Sequence, residues 1–187
     1  MADTRTRLLE AAEQAAREQG VDGFSYADLS REVGIRKASI HYHFPAKADL
    51  IAALVARYRG HIQAELVRIQ STSSTAAGAI NGFLDLYRQA LGNCTTLCLC
   101  VACAANPQAL DERVQAEISQ FRRTMLAWLE ARFTAALSDT SLGLTQGSDQ
   151  EAAGALAVAE GAQIAARLAG DLSSYDQAVA SLRCRLS

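Results

Sequence analysis

Residues 34–50 concentrate side chains that can bind nucleic acid. Cationic and hydroxyl groups bind phosphates, and side chains near the start of a helix can reach base edges in the major groove. A helix that serves only to pack would rarely carry so many hydrogen-bonding groups, so this stretch indicates DNA recognition. The groups in question are Arg36, Lys37, Ser39, His41, Tyr42, His43 and Lys47.

Cysteines form the second concentration of reactive side chains. Four of the five lie close together, at Cys94, Cys98, Cys100 and Cys103, and the fifth is Cys184. Three interpretations are open for the cluster: thiols that pack as small apolar side chains, a metal site, and a switch based on thiol modification.

The spacing of these cysteines bears on that choice. In a regular helix, Cys94 and Cys98 would share a face, while Cys100 and Cys103 would point in other directions. Four thiols so arranged could not converge on one ion, so we expect no metal site. The residues Gly92-Asn93 would place Cys98 near the first turn of that helix, where the helix dipole favours the reactive thiolate. Redox or electrophile sensing by this cluster is therefore the favoured interpretation.

Composition and charge limit the class of protein. The chain has 187 residues, half of them apolar, and a net charge of −2. Residues 1–60 carry nine Lys and Arg against eight acidic residues, whereas the remainder carries nine against twelve. No apolar run is long enough to span a bilayer, and the N-terminus has no apolar signal region. We therefore expect a cytoplasmic protein with no membrane partner.

A dithiol enzyme that uses Cys100 and Cys103 is a hypothesis from another functional class. The sequence has no βαβ pattern, catalytic triad, Gly-rich phosphate loop or helix-borne His-Glu metal motif to accompany such a pair. We therefore expect no catalytic residues, no cofactor and no enzymatic activity.

The periodicity of the apolar residues and the presence of only two prolines predict an all-α chain. A first helix is expected over 4–19. Ser25 and Asp28 form a capping box at the start of a second helix, which ends at Gly34, and a third helix covers 36–43. Three short helices with a glycine turn between the last two indicate a helix-turn-helix.

Longer helices are predicted for the rest of the chain. They cover 46–70, 76–91, 95–105, 111–138, 149–170 and 174–185. We also expect a polar linker at 71–75 and a second capping box formed by Ser148 and Glu151. The helix over 149–170 is rich in Ala and Gly, which suits close packing against a partner subunit or within the chain, and the subunit face is favoured.

The sequence resembles the TetR family of transcriptional regulators across residues 5–55. The resemblance is carried by Phe24-Ser25-Tyr26-Ala27-Asp28-Leu29, by Val33-Gly34 and by His41-Tyr42-His43-Phe44-Pro45-Ala46-Lys47-Ala48-Asp49-Leu50. It implies an all-α homodimer with an N-terminal three-helix, helix-turn-helix DNA-binding domain over 1–47. A C-terminal antiparallel helical bundle over 48–187 would sense a ligand and form the dimer.

The matched positions imply roles for individual side chains. Those at the start of the recognition helix would read base edges, and they are Arg36, Lys37, Ser39 and His41. Those expected to face the phosphate backbone are Ser25, Tyr26, Tyr42, His43 and Lys47. The family often has a small hydroxyl residue at Arg36, a glycine at Ala38 and a serine at Ala46, and these departures bear on which bases are read.

The sequence is compatible with two inducer chemistries. The run Cys98-Leu99-Cys100-Val101 resembles the reactive-cysteine segment of the TetR subgroup that responds to electrophiles and reactive chlorine, which implies that Cys98 is the sensing thiol. The alternative is a noncovalent apolar ligand, with the cysteines as packing residues. Its pocket would be lined by Phe83, Tyr87, Phe121, Met125, Trp128 and Glu160. In either case we expect a repressor that a small-molecule or reactive-species inducer releases from a palindromic double-stranded DNA operator.

Overall fold

Helices account for the regular secondary structure of residues 3–104 and 110–186, which are the residues that the computed structural model describes. Nine helices are found there: α1 (Thr4–Gln19), α2 (Tyr26–Val33), α3 (Lys37–His43), α4 (Lys47–Thr72), α5 (Ala76–Gln89), α6 (Leu99–Cys103), α7 (Glu112–Ser138), α8 (Ser148–Ala169) and α9 (Leu172–Arg185). The prediction of an all-α chain is confirmed. Within the same two ranges, every helix is too short or too polar to cross a membrane.

The first three helices form the predicted helix-turn-helix. An apolar stripe of α1 that includes Leu8 is buried, α1 packs on α2, and α2 packs on α3. The capping box of α2 is present: Ser25 Oγ accepts a hydrogen bond from the Ala27 amide, and the Asp28 carboxylate accepts one from the Ser25 amide at 2.8 Å. Gly34 ends α2 with φ 72°, a left-handed conformation that glycine adopts without steric cost, and so turns the chain into α3.

The chain divides into two compact units. The first comprises Met1–Gly60 and Leu99–Phe121, so it holds α1 to α3 together with α6 and the first parts of α4 and α7. The second comprises His61–Cys98 and Arg122–Ser187 and holds α5, α8, α9 and the remaining parts of α4 and α7. These units differ in extent from the two predicted domains. The predicted division into a DNA-binding domain over 1–47 and a regulatory domain over 48–187 is a division by function, and it stays a prediction.

Contacts between distant segments hold the first unit together. α6 packs on α1, and the ring of Tyr58 in α4 lies 5.9 Å from the ring of Phe121 in α7. Arg59 Nη2 donates a hydrogen bond to Glu117 Oε2 at 3.0 Å. The first three helices therefore share a core with α6 and the start of α7.

The second unit is centred on α5, α8 and α9, which pack on one another. Phe83, Leu84 and Tyr175 are among its fully buried side chains. The Tyr175 hydroxyl donates a hydrogen bond to the Leu84 carbonyl at 2.7 Å and so joins α9 to α5 inside the core. Burial raises the pKa of Tyr175 far above its ordinary value, so the hydroxyl keeps its proton.

The predicted helix over 95–105 is wrong in its first four residues. Residues 92–98 form turns and irregular structure, and α6 covers Leu99–Cys103 alone. Asn93 and Cys94 both have positive φ, near 60°, which a continuing right-handed helix excludes. Cys94 and Cys98 therefore do not share a helical face. Ala105 and the predicted break at 106–107 lie outside the described residues.

Other boundaries also differ from the predictions. α4 continues to Thr72, so the first two residues of the predicted linker are helical. The second capping box is wrong: Gly147 occupies the N-cap of α8, while Glu151 accepts hydrogen bonds from Arg185 and Thr145. Glu151 is drawn away from the cap because a guanidinium on α9 offers it a charged partner.

Candidate nucleic-acid interface and cysteine segment

Helix α3 presents the predicted base-reading residues to solvent. Arg36 is its N-cap residue and Lys37 its first helical residue, so both lie at the helix N-terminus as expected, although α3 begins one residue later than predicted. Ile40 is fully buried and fixes the opposite side of this short helix in the core. The exposed side chains are Arg36, Lys37, Ser39, His41 and Tyr42, and Tyr42 is 85% exposed. One side of α3 is thus free to enter a DNA groove.

Tyr26 holds α3 to α2. Its hydroxyl donates a hydrogen bond to the Phe44 carbonyl at 2.9 Å, and its ring makes an edge contact with the His41 ring at 4.9 Å between centroids. Burial, together with the negative charge of Asp49, raises the pKa of Tyr26 to about 12, so the hydroxyl remains a donor at physiological pH. The geometry gives Tyr26 a positioning role beside the predicted phosphate contact.

Replacement of Tyr26 with phenylalanine should lower the free energy of unfolding by about 1 kcal/mol, because the Phe44 carbonyl loses its partner. Urea denaturation followed by circular dichroism measures the change. Tyr42→Phe is the matched control, since that hydroxyl is on an exposed side chain, and its stability should equal that of the wild type. Equal stability of Tyr26→Phe and the wild type would contradict the positioning role.

The other predicted backbone contacts are engaged within the protein to different degrees. Ser25 Oγ serves the α2 cap and also donates to Asp28 Oδ2 at 2.7 Å. The Lys47 ammonium donates to the Phe24 carbonyl and lies 4.4 Å from the centroid of the Phe24 ring. Partial burial lowers the pKa of Lys47. His43 is half-buried, and its ring contacts that of Tyr42. An ammonium has three donor hydrogens, so Lys47 can serve Phe24 and a phosphate together.

Sequence reasoning missed the roles of two residues, Asp49 and Arg113, that fix the chain where it leaves α3 and begins α4. Asp49 Oδ2 accepts a hydrogen bond from the Ala46 amide at 2.9 Å and so caps α4. Asp49 Oδ1 accepts a second one from Arg113 Nη1 at 2.6 Å, and Arg113 also contacts Asp111. The spacing of Ala46 and Asp49 could have indicated the cap, whereas no local signal links residues 49 and 113.

The cysteine segment has an irregular backbone and mostly buried thiols. None of the five cysteines is in a disulfide. Cys98, Cys100 and Cys103 are buried, with exposures of 3%, 3% and 1%, whereas Cys94 is partly exposed and Cys184 is exposed. Cys98 immediately precedes α6, and Cys100 and Cys103 lie within it. Within residues 3–104 and 110–186, no group of three or more His, Cys, Asp and Glu side chains is arranged to hold a metal ion.

Part of the predicted ligand pocket is a continuous aromatic cluster in the second unit. The ring of Phe83 lies 4.8 Å from that of Tyr87 and is stacked 6.1 Å from that of Trp128. Phe83, Tyr87 and Met125 are buried. The structure does not bring all six predicted residues into this cluster.

Phe121 and Glu160 have other surroundings. Phe121 belongs to the first compact unit, where it contacts Tyr58. Glu160 accepts two hydrogen bonds from Arg122 Nη1, both at 2.5 Å. The ring contacts of the predicted pocket residues in the second unit therefore join Phe83, Tyr87 and Trp128.

The first part of the chain matches known regulators. Residues 8–54 match the family model described as bacterial regulatory proteins, tetR family. Over 53 residues, the chain is 38% identical to the HTH-type transcriptional regulator TtgR of Pseudomonas putida, with 28% of this chain and 25% of TtgR covered. Over 58 residues, it is 33% identical to the HTH-type transcriptional repressor BepR of Brucella suis biovar 1, with 31% and 28% covered. The chain thus matches only about a quarter of the length of these curated relatives.

Solved structures match over nearly the whole chain. A transcriptional regulator of the TetR family from Agrobacterium tumefaciens superposes with a TM-score of 0.93 and 29% identity, with 97% of this chain and 96% of that chain covered. A TetR transcriptional regulator from Legionella pneumophila gives 0.85 and 28%, with 100% and 96% covered. The reduced form of E. coli NemR gives 0.85 at 22% identity, with 98% and 96% covered, and shares the fold.

Proposed function

We propose that this chain, whose residues 8–54 match the tetR family model, is a homodimeric transcriptional repressor that binds a palindromic DNA operator. The observation that carries the proposal is the exposed row of basic, hydroxyl and aromatic side chains on α3, held in place by the buried Ile40. The name of BepR, a transcriptional repressor, supports repression rather than activation.

Helix α3 would enter the major groove with its N-terminus towards the bases. Arg36 and Lys37 can donate to guanine O6 and N7, and Ser39 can contact either base of a pair. Tyr42, exposed near the end of α3, would reach the phosphate backbone, as would Lys47 from the first turn of α4. Arg36 and Lys37 at the start of α3, together with Lys47 after its end, would fix the position of α3 along the groove.

The outward face of α8 supports dimerisation. α8 packs along α9 inside the second unit, yet an apolar row of α8 remains exposed, with Ile164 56% and Leu168 88% exposed. The smaller residues of this row are Gly154, Ala157, Val158 and Gly161. Small residues allow two helices to approach closely, so a second copy of α8 could cover the face. Two copies related by a twofold axis would place two α3 helices on a palindromic site.

Thiol modification is the proposed inducer chemistry. In alkylation by a maleimide, the cysteine sulfur forms a bond to one alkene carbon. The π electron pair moves to the neighbouring carbon, which takes a proton to replace the one that the thiol releases. Cys100 and Cys103 belong to α6, which packs on α1 of the unit that carries α3. Added volume at a closely packed thiol disfavours the resting packing, so modification would shift the protein to a state with weaker DNA affinity.

A noncovalent apolar inducer is the second candidate. The aromatic cluster of Phe83, Tyr87 and Trp128 favours it, since an apolar ligand that entered this core would contact aromatic rings. In that case the cysteines are packing residues. Cys98, Cys100 and Cys103 are buried because they fill the core as small apolar side chains.

Treatment with N-ethylmaleimide or diamide should weaken operator binding at least tenfold, because a few kcal/mol of differential stability displaces the two-state equilibrium. The measurement is a gel shift on DNA from upstream of the protein's own gene, before and after treatment. Diamide takes two protons and two electrons from a thiol pair, so dithiothreitol should restore binding after diamide and not after N-ethylmaleimide. Cys184→Ser is the control and should respond like the wild type.

Cys98→Ser and a variant with all five cysteines replaced by serine separate the two inducer chemistries. If Cys98 is the sensing thiol, both variants should bind the operator and resist both reagents. Undiminished release of the five-serine variant by oxidant would overturn thiol sensing. Release that persists in Cys98→Ser alone would assign the sensing role to another cysteine.

A further inference from the structure

Gln163 is a fully buried polar side chain on α8. Its Oε1 accepts a hydrogen bond from the Cys98 amide at 3.0 Å, and its Nε2 donates one to the Tyr87 carbonyl at 2.5 Å. A backbone N–H can only donate and a carbonyl can only accept, so these partners fix the orientation of the carboxamide. One side chain thus joins α8 to the end of α5 and to the residue before α6.

Both partners of Gln163 are backbone groups close to a helix end. Tyr87 lies in the last turn of α5, and Cys98 immediately precedes the first residue of α6. A buried amide that loses such bonds costs free energy, because no water replaces the partner. The neighbouring buried positions of α8, Ala159, Ala162 and Ala166, are apolar. The carboxamide of Gln163 is therefore a hydrogen-bonding group among apolar side chains on the buried face of α8.

A second residue of α8 holds the other end of the cysteine segment. Arg167, one turn after Gln163, donates from Nη1 to the Cys94 carbonyl at 3.2 Å. Cys94 has a φ of 64°, in the left-handed region that non-glycine residues seldom occupy. The backbone between Cys94 and Cys98 is irregular, so these two contacts with α8 restrain a segment that lacks helical hydrogen bonds.

We propose that Gln163 is the positioning residue that keeps the Cys98 thiol closed to reagents in the resting protein. Cys98 is 3% exposed, so an electrophile reaches its sulfur only when the segment opens. Opening separates the Cys98 amide from Gln163 Oε1, and the buried carboxamide oxygen loses that donor. The rate at which a reagent modifies Cys98 then depends on how often these hydrogen bonds open as well as on the intrinsic reactivity of the thiol.

The same side chain gives thiol modification a route to the proposed subunit face. Gln163 lies on the inward side of α8, and Ile164 and Leu168 lie on its exposed apolar row. A change at Cys98 that removes Gln163 from its bonds acts directly on the helix that would pair the subunits. This regulatory role rests on the proposed thiol-sensing function, whereas the closure of Cys98 by Gln163 does not.

Alkylation rates of individual cysteines test the closure. The full-length protein, without DNA, is treated with N-ethylmaleimide, and each modified peptide is quantified by mass spectrometry over time. Gln163→Met keeps the side-chain volume and removes both hydrogen bonds. It should raise the rate at Cys98, relative to the exposed Cys184 in the same sample, by at least tenfold. A ratio within twofold of the wild type would overturn the proposal.

A core variant separates local opening from general loss of stability. Val179→Ala removes a fully buried side chain of α9, in the same unit as Gln163, and leaves the hydrogen bonds of Gln163 to Cys98 and Tyr87 unaltered. At matched midpoints of thermal unfolding, it should raise the rates at Cys98, Cys100 and Cys103 together, because global unfolding exposes all three. If Gln163→Met also raises the three rates equally, Gln163 acts only on overall stability and the proposal fails.

The wild type provides a test that needs no variant. A single opening event frees both the Cys98 amide from Gln163 and the Cys98 thiol from the core. Protection of that amide from hydrogen exchange and protection of the thiol from N-ethylmaleimide should therefore agree within about threefold. A thiol that reacts while its amide remains protected would overturn the proposal even if Gln163→Met fails to fold. Neither measurement involves DNA, so failure of operator release by thiol reagents would be a separate result.

Discussion

Replacement of Arg36 with alanine is expected to weaken operator binding by about 10- to 100-fold, because one good bidentate contact with a base contributes a free energy of that order. Arg36 is the N-cap residue of α3, its side chain is exposed, and its backbone is extended, with φ −74° and ψ 146°. The truncation removes a guanidinium from the end of the helix that would face the bases and leaves the core intact. Fluorescence anisotropy with a labelled duplex measures the change.

Two controls make this measurement specific. The unfolding midpoint of Arg36→Ala should equal that of the wild type, since an exposed side chain is removed. Arg123→Ala removes an exposed arginine from α7, in the second compact unit, and should change operator affinity less than twofold. An Arg36→Ala variant that binds the operator as tightly as the wild type would contradict the prediction that Arg36 contacts a base from the start of α3.

Replacement of Arg185 with alanine is expected to have the largest effect on stability of the changes considered, about 2–3 kcal/mol. Arg185 donates to both carboxylate oxygens of Glu151, at 2.7 and 3.1 Å. The Glu151 side chain is only 4% exposed, and Thr145 is its other hydrogen-bonding partner. Without the guanidinium, a buried carboxylate keeps its charge and loses its counterion. Urea denaturation at a fixed protomer concentration measures the loss.

A neighbouring arginine provides the control. Arg183 lies on α9 two residues before Arg185 and pairs with Asp85, whose side chain is 54% exposed. Surface pairs of this kind contribute little, so Arg183→Ala should cost less than about 1 kcal/mol. Equal losses for the two variants would show that the burial of Glu151 does not determine the cost.

The effect of Arg185→Ala depends on pH. Hydrogen bonds from Arg185 and then from Thr145 hold the pKa of Glu151 below its ordinary value, against the opposing effect of burial. The folded-state pKa is lower than that of the unfolded chain, so the pair stabilises fully above the ordinary carboxyl pKa of about 4.3. Its contribution is lost as the pH falls through the folded-state value. The difference between the wild type and Arg185→Ala should therefore shrink on acidification from pH 7.

The helix-turn-helix could be predicted from the sequence because its signals are local. The capping box of Ser25 and Asp28, the left-handed Gly34 and the break after His43 each lie within a few residues of the structure they determine. The exposure of Arg36 and Lys37 follows from the same short-range pattern once Ile40 is placed in the core.

The cysteine segment could not be predicted from the sequence because distant residues determine its backbone. Cys98 and Cys94 are held by Gln163 and Arg167, 65 and 73 residues away in the chain. The same holds for Glu151, whose spacing from Ser148 matches a capping box while its partner Arg185 lies 34 residues away. Local periodicity gives no information about a charged or amide partner on another helix.

The most direct test of DNA recognition by α3 is the salt dependence of binding to a palindromic duplex from upstream of the protein's own gene. Affinity should fall linearly with salt on logarithmic axes, by about 10³- to 10⁵-fold between 50 and 200 mM if six to ten phosphates are contacted, with two protomers bound per site. A protein that stays monomeric and binds no duplex in a salt-sensitive manner would contradict the account.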